Sequence, residues 1–189
     1  MKHYSFCPVC GTPLERSGAE PAVRDLHTCV KCGFEFWQNS KPAVAALVLR
    51  MVDSVPHLLL ARRSINPYKG MWDLPGGYLK NGEAPEEGLV REMREELGTT
   101  ISAVRLFTTG IDEYPREDVA EEARFVLSLH YLCEIPADAP LKPDDDVSEA
   151  GWFALDALPR EIAFATNRRS IAALVQDRAA HRRDGSLSV

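Results

Sequence analysis

GYLKNGEAPEEGLVREMREELGT, residues 77 to 99, is the stretch on which the reading of the fold turns. A loop carrying Gly76-Gly77 and Asn81-Gly82 runs into a helix that opens with Pro85 and closes before Gly98. Proline in the first turn and glycine just past the end are the usual punctuation of a helix. Leu89, Met93 and Leu97 recur at i, i+4, i+8, so one stripe of this helix packs on a core. Glu92, Glu95 and Glu96 sit at i, i+3, i+4 and share a second stripe. Three like charges on one stripe repel unless something cationic sits among them. A hard divalent cation, Mg2+ (or Mn2+), suits oxygen ligands of this kind. Taken alone, three such glutamates are more often a solvated acidic face.

Working outward toward the N-terminus, Met71-Trp72-Asp73-Leu74-Pro75 leads into the glycine pair. Before it, Ala43 to Arg50 is a continuous apolar run that suits a strand buried on both faces, and His57 to Ala61 reads as its partner. Arg62 and Arg63 follow, then a loop from Ile65 to Gly70. Arg63 is a candidate phosphate clamp through its planar fork; a surface arginine paired with a glutamate of the 77–99 stretch is an equal alternative. Trp72 reads as core. Gln38 to Pro42 reads as a linker.

Ahead of that linker, four of the five cysteines fall as Cys7-x2-Cys10 and Cys29-x2-Cys32, each pair followed by glycine. Two such knuckles supply four thiolates for one structural Zn2+. The alternative is a pair of disulfides, which needs an oxidising compartment that nothing here suggests. His3 and His27 read as bystanders. Some forty residues bury little core, so the metal would carry much of the folding energy. Gly11 to Thr28 reads as a loose hairpin and Phe34 to Trp37 as a short strand. With no basic, aromatic-interleaved patch, the module reads as a brace or a pairing element.

Toward the C-terminus, Ile101 to Thr109 and Ala123 to Ile135 read as strands. Phe125, Leu127, Leu129, Tyr131 and Cys133 share one face of the second, which makes Cys133 a small core residue. Gly110 to Glu122 and Pro136 to Val147 read as loops, Trp152 to Pro159 as a short strand and turn, and Ile162 to about Ala180 as a helix. Strands, a helix, more strands and a closing helix imply an α/β or α+β chain with a mixed sheet between helices. The expected division is 1–40, 41–180 and a polar tail, 181–189.

The chain has 189 residues and a net charge of −6, which argues against gripping nucleic-acid backbone by bulk electrostatics. No signal-peptide layout opens it, and no apolar run approaches the roughly 20 residues of a membrane helix. No nucleic acid, no membrane and a cytoplasmic location are therefore expected.

The whole central stretch is G-x5-E-x7-R-E-x2-E-E-x-G, which resembles the Nudix box of the Nudix hydrolases. One position departs: Thr99 stands where the pattern closes with a bulky aliphatic. Gly88, within the free x7 run, is an odd choice inside a helix, costing about 1 kcal/mol against alanine. The resemblance implies the Nudix fold and Mg2+-dependent hydrolysis of a nucleoside diphosphate joined to another group. It implies that Glu92, Glu95 and Glu96, with the Gly77 carbonyl, are the metal ligands, and that Arg91 pairs with Glu83. The general base stays open between Glu95, Glu96, Glu149, Glu121, Glu122 and Glu113; Glu149 is also carried as a substrate-site residue.

With its cysteine pairs the chain resembles the zinc-ribbon Nudix hydrolases, which often form homodimers. NADH pyrophosphatases carry Ser-Gln-Pro-Trp-Pro-Phe-Pro after the box, whereas this chain reads Thr108-Thr109-Gly110-Ile111-Asp112-Glu113-Tyr114-Pro115. The linker and C-terminal segment look more like plant FAD and ADP-ribose pyrophosphatases, so ADP-ribose or FAD is the favoured substrate, with AMP released. NADH hydrolysis, sanitising of damaged nucleotides and a non-catalytic nucleotide sensor are the alternatives. Phe164, Tyr114 and Trp37 are candidate surfaces for stacking a base.

Overall fold

The computed structural model describes residues 6–16, 26–37, 39–114 and 124–184. The chain divides into two compact units, Met1–Lys41 with Glu113–Phe125, and Pro42–Asp112 with Val126–Val189.

In the first unit, β1 (Glu15–Arg16), β2 (Leu26–Thr28) and β3 (Glu35–Trp37) form a three-stranded antiparallel sheet. The two cysteine knuckles close in the same way. Cys7 N–H donates to the Thr12 carbonyl and Gly11 N–H to that of Cys7, while Cys29 and Gly33 repeat the pattern with Phe34 and Cys29.

The second unit is built on β4 (Lys41–Val52), β5 (Val55–Arg63), β6 (Trp72–Asp73), β7 (Ser102–Tyr114), β8 (Arg124–Glu134) and β9 (Val147–Ala154). The strand order is β6-β5-β4-β8-β7, with β9 pairing on β5. The mixed sheet lies between α1 (Pro85–Leu97) and α2 (Ala165–Asp184). The apolar run of β4 shows why. Val44, Ala46 and Val48 alternate into the core that holds Leu89, Met93 and Leu97 of α1. Ala45 and Leu47 point into the opposite core, with Ile171 and Leu174 of α2. Leu59 and Leu58 of β5 divide in the same manner. Leu47, Leu58, Leu59 and Leu60 are fully buried, each contributing about 1.5–3 kcal/mol.

Several boundaries differ from the sequence reading. The linker ends at Ser40, because Lys41 and Pro42 already belong to β4. β7 runs on through Gly110 to Tyr114, five residues into the expected loop, and residues 115–123 lie outside the described set. β9 starts at Val147 rather than Trp152 because it hydrogen-bonds along β5, where Glu149 faces Arg62 and Trp152 faces Leu59. α2 starts at Ala165, not Ile162: Phe164 has φ 52, a left-handed conformation that no helix continues through. It also runs to Asp184, into the expected tail.

Gly88, the odd residue of α1, has a steric reason. A Cβ there would sit 2.4 Å from Cδ2 of Leu79 and 3.0 Å from Oε2 of Glu83, both on the loop that folds over the helix. Propensity alone would make Gly88→Ala about 1 kcal/mol more stable. The crowding reverses the sign, and urea unfolding should show a net loss of about 1–3 kcal/mol.

Candidate active site and cysteine centre

Arg91, Lys80 and the Gly76 N–H hold Glu92, Glu95 and Glu96 of α1. Arg91 donates Nε to Oε1 of Glu83 at 2.6 Å and Nη2 to Oε2 of the same group at 2.8 Å. Its Nη1 reaches Glu92 at 2.6 Å and Glu95 at 2.8 Å, and Nη2 also reaches the Tyr78 carbonyl at 3.1 Å. The bidentate pair pulls Glu83 down to about 2, chiefly through the Arg91 hydrogen bond. Glu95 is exposed, takes a second cation from Lys80 at 3.4 Å, and is also lowered, first by Arg91.

Glu96 stands apart. It is 6% exposed, and its Oε2 accepts the Gly76 N–H at 3.0 Å. Burial pushes its carboxyl well above the ordinary 4.5, and the charges of Asp146, Glu92 and Asp73 push the same way. Glu92 is raised too, first by burial, against the pull of Arg91. Glu92, Glu96, Asp146 and Asp73 thus form an acidic cluster, an oxygen donor set of the kind that suits a hard divalent cation.

The approach loop is fixed to β4. Val44 N–H donates to the Gly77 carbonyl at 2.9 Å and Ala46 N–H to Pro75 at 2.8 Å. Gly76 has φ 144, and a Cβ on it would lie 2.1 Å from the Val44 carbonyl oxygen, so only glycine brings its N–H to Glu96. At Gly77 a Cβ would meet the Glu92 carboxylate at 2.7 Å.

Arg63 is neither on the surface nor paired with a box glutamate. Its Nη1 lies 3.2 Å from Asp73 and its Nε donates to the Pro67 carbonyl at 2.8 Å. Glu149 is exposed on β9 and pairs with Arg62 at 3.3 Å. Glu113 is exposed at the end of β7, and Glu121 and Glu122 lie outside the described residues. Phe164 packs edge-on against Tyr68, Trp37 is half-exposed in the cysteine unit, and the Tyr114 side chain lies outside the described set. Trp72 packs on Phe153, and Cys133 is buried with its thiol pushed up to about 12 by burial.

Two features escaped the sequence reading. Asp146 ends a run of three aspartates that looked like a solvated loop. That loop is tied to α1 by Asp144 N–H on the Glu96 carbonyl at 2.9 Å, and to β5's end by Ser64 N–H on the Asp146 carbonyl at 2.7 Å. The second is a buried polar chain. Asn167 Nδ2 donates to Asp73 at 2.5 Å, and its Oδ1 accepts from His130 Nε2 at 2.6 Å. Burial raises Asp73 to about 6 and lowers His130, which is therefore neutral.

In the other unit, the sulfurs of Cys7, Cys10, Cys29 and Cys32 all lie within 4.8 Å of one another, with no disulfide. Cys7 to Cys32 is 3.7 Å and Cys10 to Cys29 is 3.5 Å, against about 3.8 Å for the edge of a tetrahedral zinc–thiolate site. Among the described residues no group of three acidic side chains is gathered so tightly. His3 lies outside the described residues, and His27 pairs through its backbone with Phe36.

Comparison with known proteins agrees with the fold. The NUDIX domain model matches residues 40–174. NAD-capped RNA hydrolase NudC of Pseudomonas aeruginosa is 28% identical over 185 residues, 98% of this chain and 59% of the relative. ADP-ribose pyrophosphatase of Methanocaldococcus jannaschii is 35% identical over 119 residues, 63% of this chain and 66% of the relative. The chain thus spans about three-fifths of the length of the first of these relatives. The solved NUDIX hydrolase from Nitrosomonas europaea superposes with a TM-score of 0.72 at 23% identity, covering 93% of both chains, a likeness of fold.

The raised carboxylates give a pH dependence of known sign. A group whose pKa is higher folded than unfolded binds extra protons in the fold from its ordinary pKa upward. Stability therefore falls as pH rises through that window. Without added divalent cation, Glu96→Gln should flatten this slope and raise the melting temperature at neutral pH by roughly 3–6 °C. An unchanged slope by calorimetry would place the proton on another group.

Proposed function

Because the chain belongs to the NUDIX family, we propose that it hydrolyses the diphosphate bond of a nucleoside diphosphate linked to another group, ADP-ribose or FAD being favoured. The observation that carries this reading is the acidic cluster of Glu92 and Glu96, in the C-terminal half of α1, with Asp146 and Asp73, of which Glu96 and Asp73 are buried. Glu92, Glu95 and Glu96 would hold the Mg2+ (or Mn2+), joined by the Gly77 carbonyl and by Asp146. When bound, such an ion neutralises the diphosphate and lowers the pKa of the attacking water.

The chain's own residues do the rest. Arg91 holds Glu83, and with it the loop, against the helix. The proton of the attacking water goes to a carboxylate. Glu95, exposed, and Glu96, buried, are the acceptors we propose within the box. Asp146, whose charge acts on Glu92 and Glu96, joins the candidates for this role. In our reading Glu149 and Arg63 stay in the substrate site as positioning groups, Glu149 paired with Arg62 and Arg63 with Asp73.

We assign Zn2+ to the four cysteines of a ribbon spanning 1–40, as the sulfur spacings support, with the hydrolase domain beginning at 41. A homodimer and a cytoplasmic location belong to the same proposal. No described helix is long and apolar enough to cross a membrane. Sedimentation showing only a 21 kDa species would remove the dimer.

The relatives named NAD-capped RNA hydrolase keep NAD-capped RNA in play, beside the NADH alternative. The decisive experiment is therefore a product screen with Mg2+ on ADP-ribose, FAD, NADH, NAD-capped RNA, diadenosine polyphosphate and 8-oxo-dGTP. AMP should appear from an adenosine-diphosphate substrate and fall by at least about 100-fold in Glu96→Gln. Intact folded protein with no turnover on any of them would favour a nucleotide sensor. For the cysteine centre, a strong chelator should release close to one Zn2+ per chain and abolish the folding of residues 6–16 and 26–37, read by amide exchange. A metal-free ribbon that stays protected would refute the zinc assignment.

A further inference from the structure

The loop between β5 and β6 carries a feature that the hydrolytic chemistry does not use. Tyr68 has φ 63 and Phe164 has φ 52, so two bulky aromatic residues both occupy the left-handed region, where glycine or asparagine is cheaper. They meet each other, rings 5.1 Å apart and edge to face at 85°. Tyr68 remains 38% exposed. The guanidinium of Arg63 lies 5.2 Å over the Phe164 ring.

The loop is rigidly held. Arg62 Nε donates to the Gly70 carbonyl and Arg63 Nε to that of Pro67, both at 2.8 Å. Arg63 N–H reaches Met71 at 3.0 Å and Gly70 N–H returns to Arg63 at 2.9 Å. Both roots of the loop lead to the acidic cluster: Ser64 is bonded to the Asp146 backbone, and Arg63 is paired with Asp73, whose charge acts on Glu96. Packing alone gives weak grounds for a half-exposed tyrosine in a strained conformation, since an edge-to-face pair adds little beyond the burial it forgoes.

We propose that Tyr68, backed by Phe164, is the platform on which the base of the substrate's nucleoside stacks, which makes it a specificity-determining residue. The ligand chemistry is a planar, delocalised ring joined to a diphosphate that reaches the acidic cluster. This rests on the hydrolase reading above, and the test separates the two. Tyr68→Leu, Tyr68→Gly and Tyr68→Phe are compared in turnover of the adenosine-diphosphate substrate and in calorimetric binding of AMP.

Loss of the ring should raise KM and the AMP dissociation constant roughly 10-fold to 100-fold, with kcat within about 3-fold, and Tyr68→Phe should restore both. Tyr68→Gly should bind as poorly while melting no lower than the parent, because glycine relieves the strained φ. A purely structural tyrosine would give the opposite, a lower melting temperature with unchanged KM. Turnover with KM unaltered in Tyr68→Leu overturns the platform and leaves the hydrolase standing. AMP binding that needs Tyr68, in a protein that turns nothing over, keeps the platform and removes the hydrolase. A parent protein that binds no AMP overturns the platform outright.

Discussion

One guanidinium holds the centre of this molecule together. Arg91 makes hydrogen bonds to three carboxylates and a backbone carbonyl, joining the 78–83 loop to α1 and balancing charges that the helix would otherwise place side by side. A planar fork suits this task where an ammonium would not, because two parallel bonds to Glu83 leave its remaining N–H groups aimed at Glu92, Glu95 and Tyr78. Such an arrangement shares the negative charge unevenly. Glu83 and Glu95 are stabilised as anions, while Glu96, out of reach of Arg91 and buried, is destabilised as one.

The sheet makes that imbalance possible. Because β4 is buried on both faces, it can accept the approach loop along its backbone without yielding, and the Val44–Gly77 and Ala46–Pro75 bonds set the loop's height above the sheet. Gly76 then delivers its N–H to Glu96 through a gap too small for any side chain. Apolar packing and acidic chemistry are thus two faces of the same helix. Leu89, Met93 and Leu97 fasten α1 to the sheet, and that fastening determines where the carboxylates stand.

Much of this was legible in the sequence because the signals were local or periodic. Pro85 and Gly98 bracket α1 as read, the run from Ala43 to Arg50 lies within β4, and the four cysteines converge. The misread boundaries share one cause, which is tertiary pairing overriding local cues. β9 begins at Val147 because β5 supplies a hydrogen-bonding partner there, although Ser148-Glu149 looks like loop. α2 begins late because Phe164 turns left-handed to meet Tyr68, which no helix-start rule anticipates. Asp146 and the Asp73–Asn167–His130 chain escaped for a related reason: an isolated polar residue carries no periodicity, and whether it is solvated or buried depends on elements far away in the chain.

That buried chain completes the physical picture of the acidic cluster. Asp73 sits between Arg63 on one side and Asn167 on the other, so its carboxyl is hydrogen-bonded from both the sheet and the first turn of α2. Since Asn167 Nδ2 donates to Asp73, its carbonyl oxygen must accept from His130, and the imidazole is fixed as the Nε2–H tautomer. Neither Arg63 nor Asn167 is then free to rotate, and the approach to Gly76 begins from an anchored residue. The cluster is therefore preorganised from two directions, by α1 through Arg91 and by α2 through Asn167. The charges of Asp146 and Asp73 add to those of Glu92 and Glu96 around residues held in place from both sides, an oxygen donor set that suits a hard divalent cation.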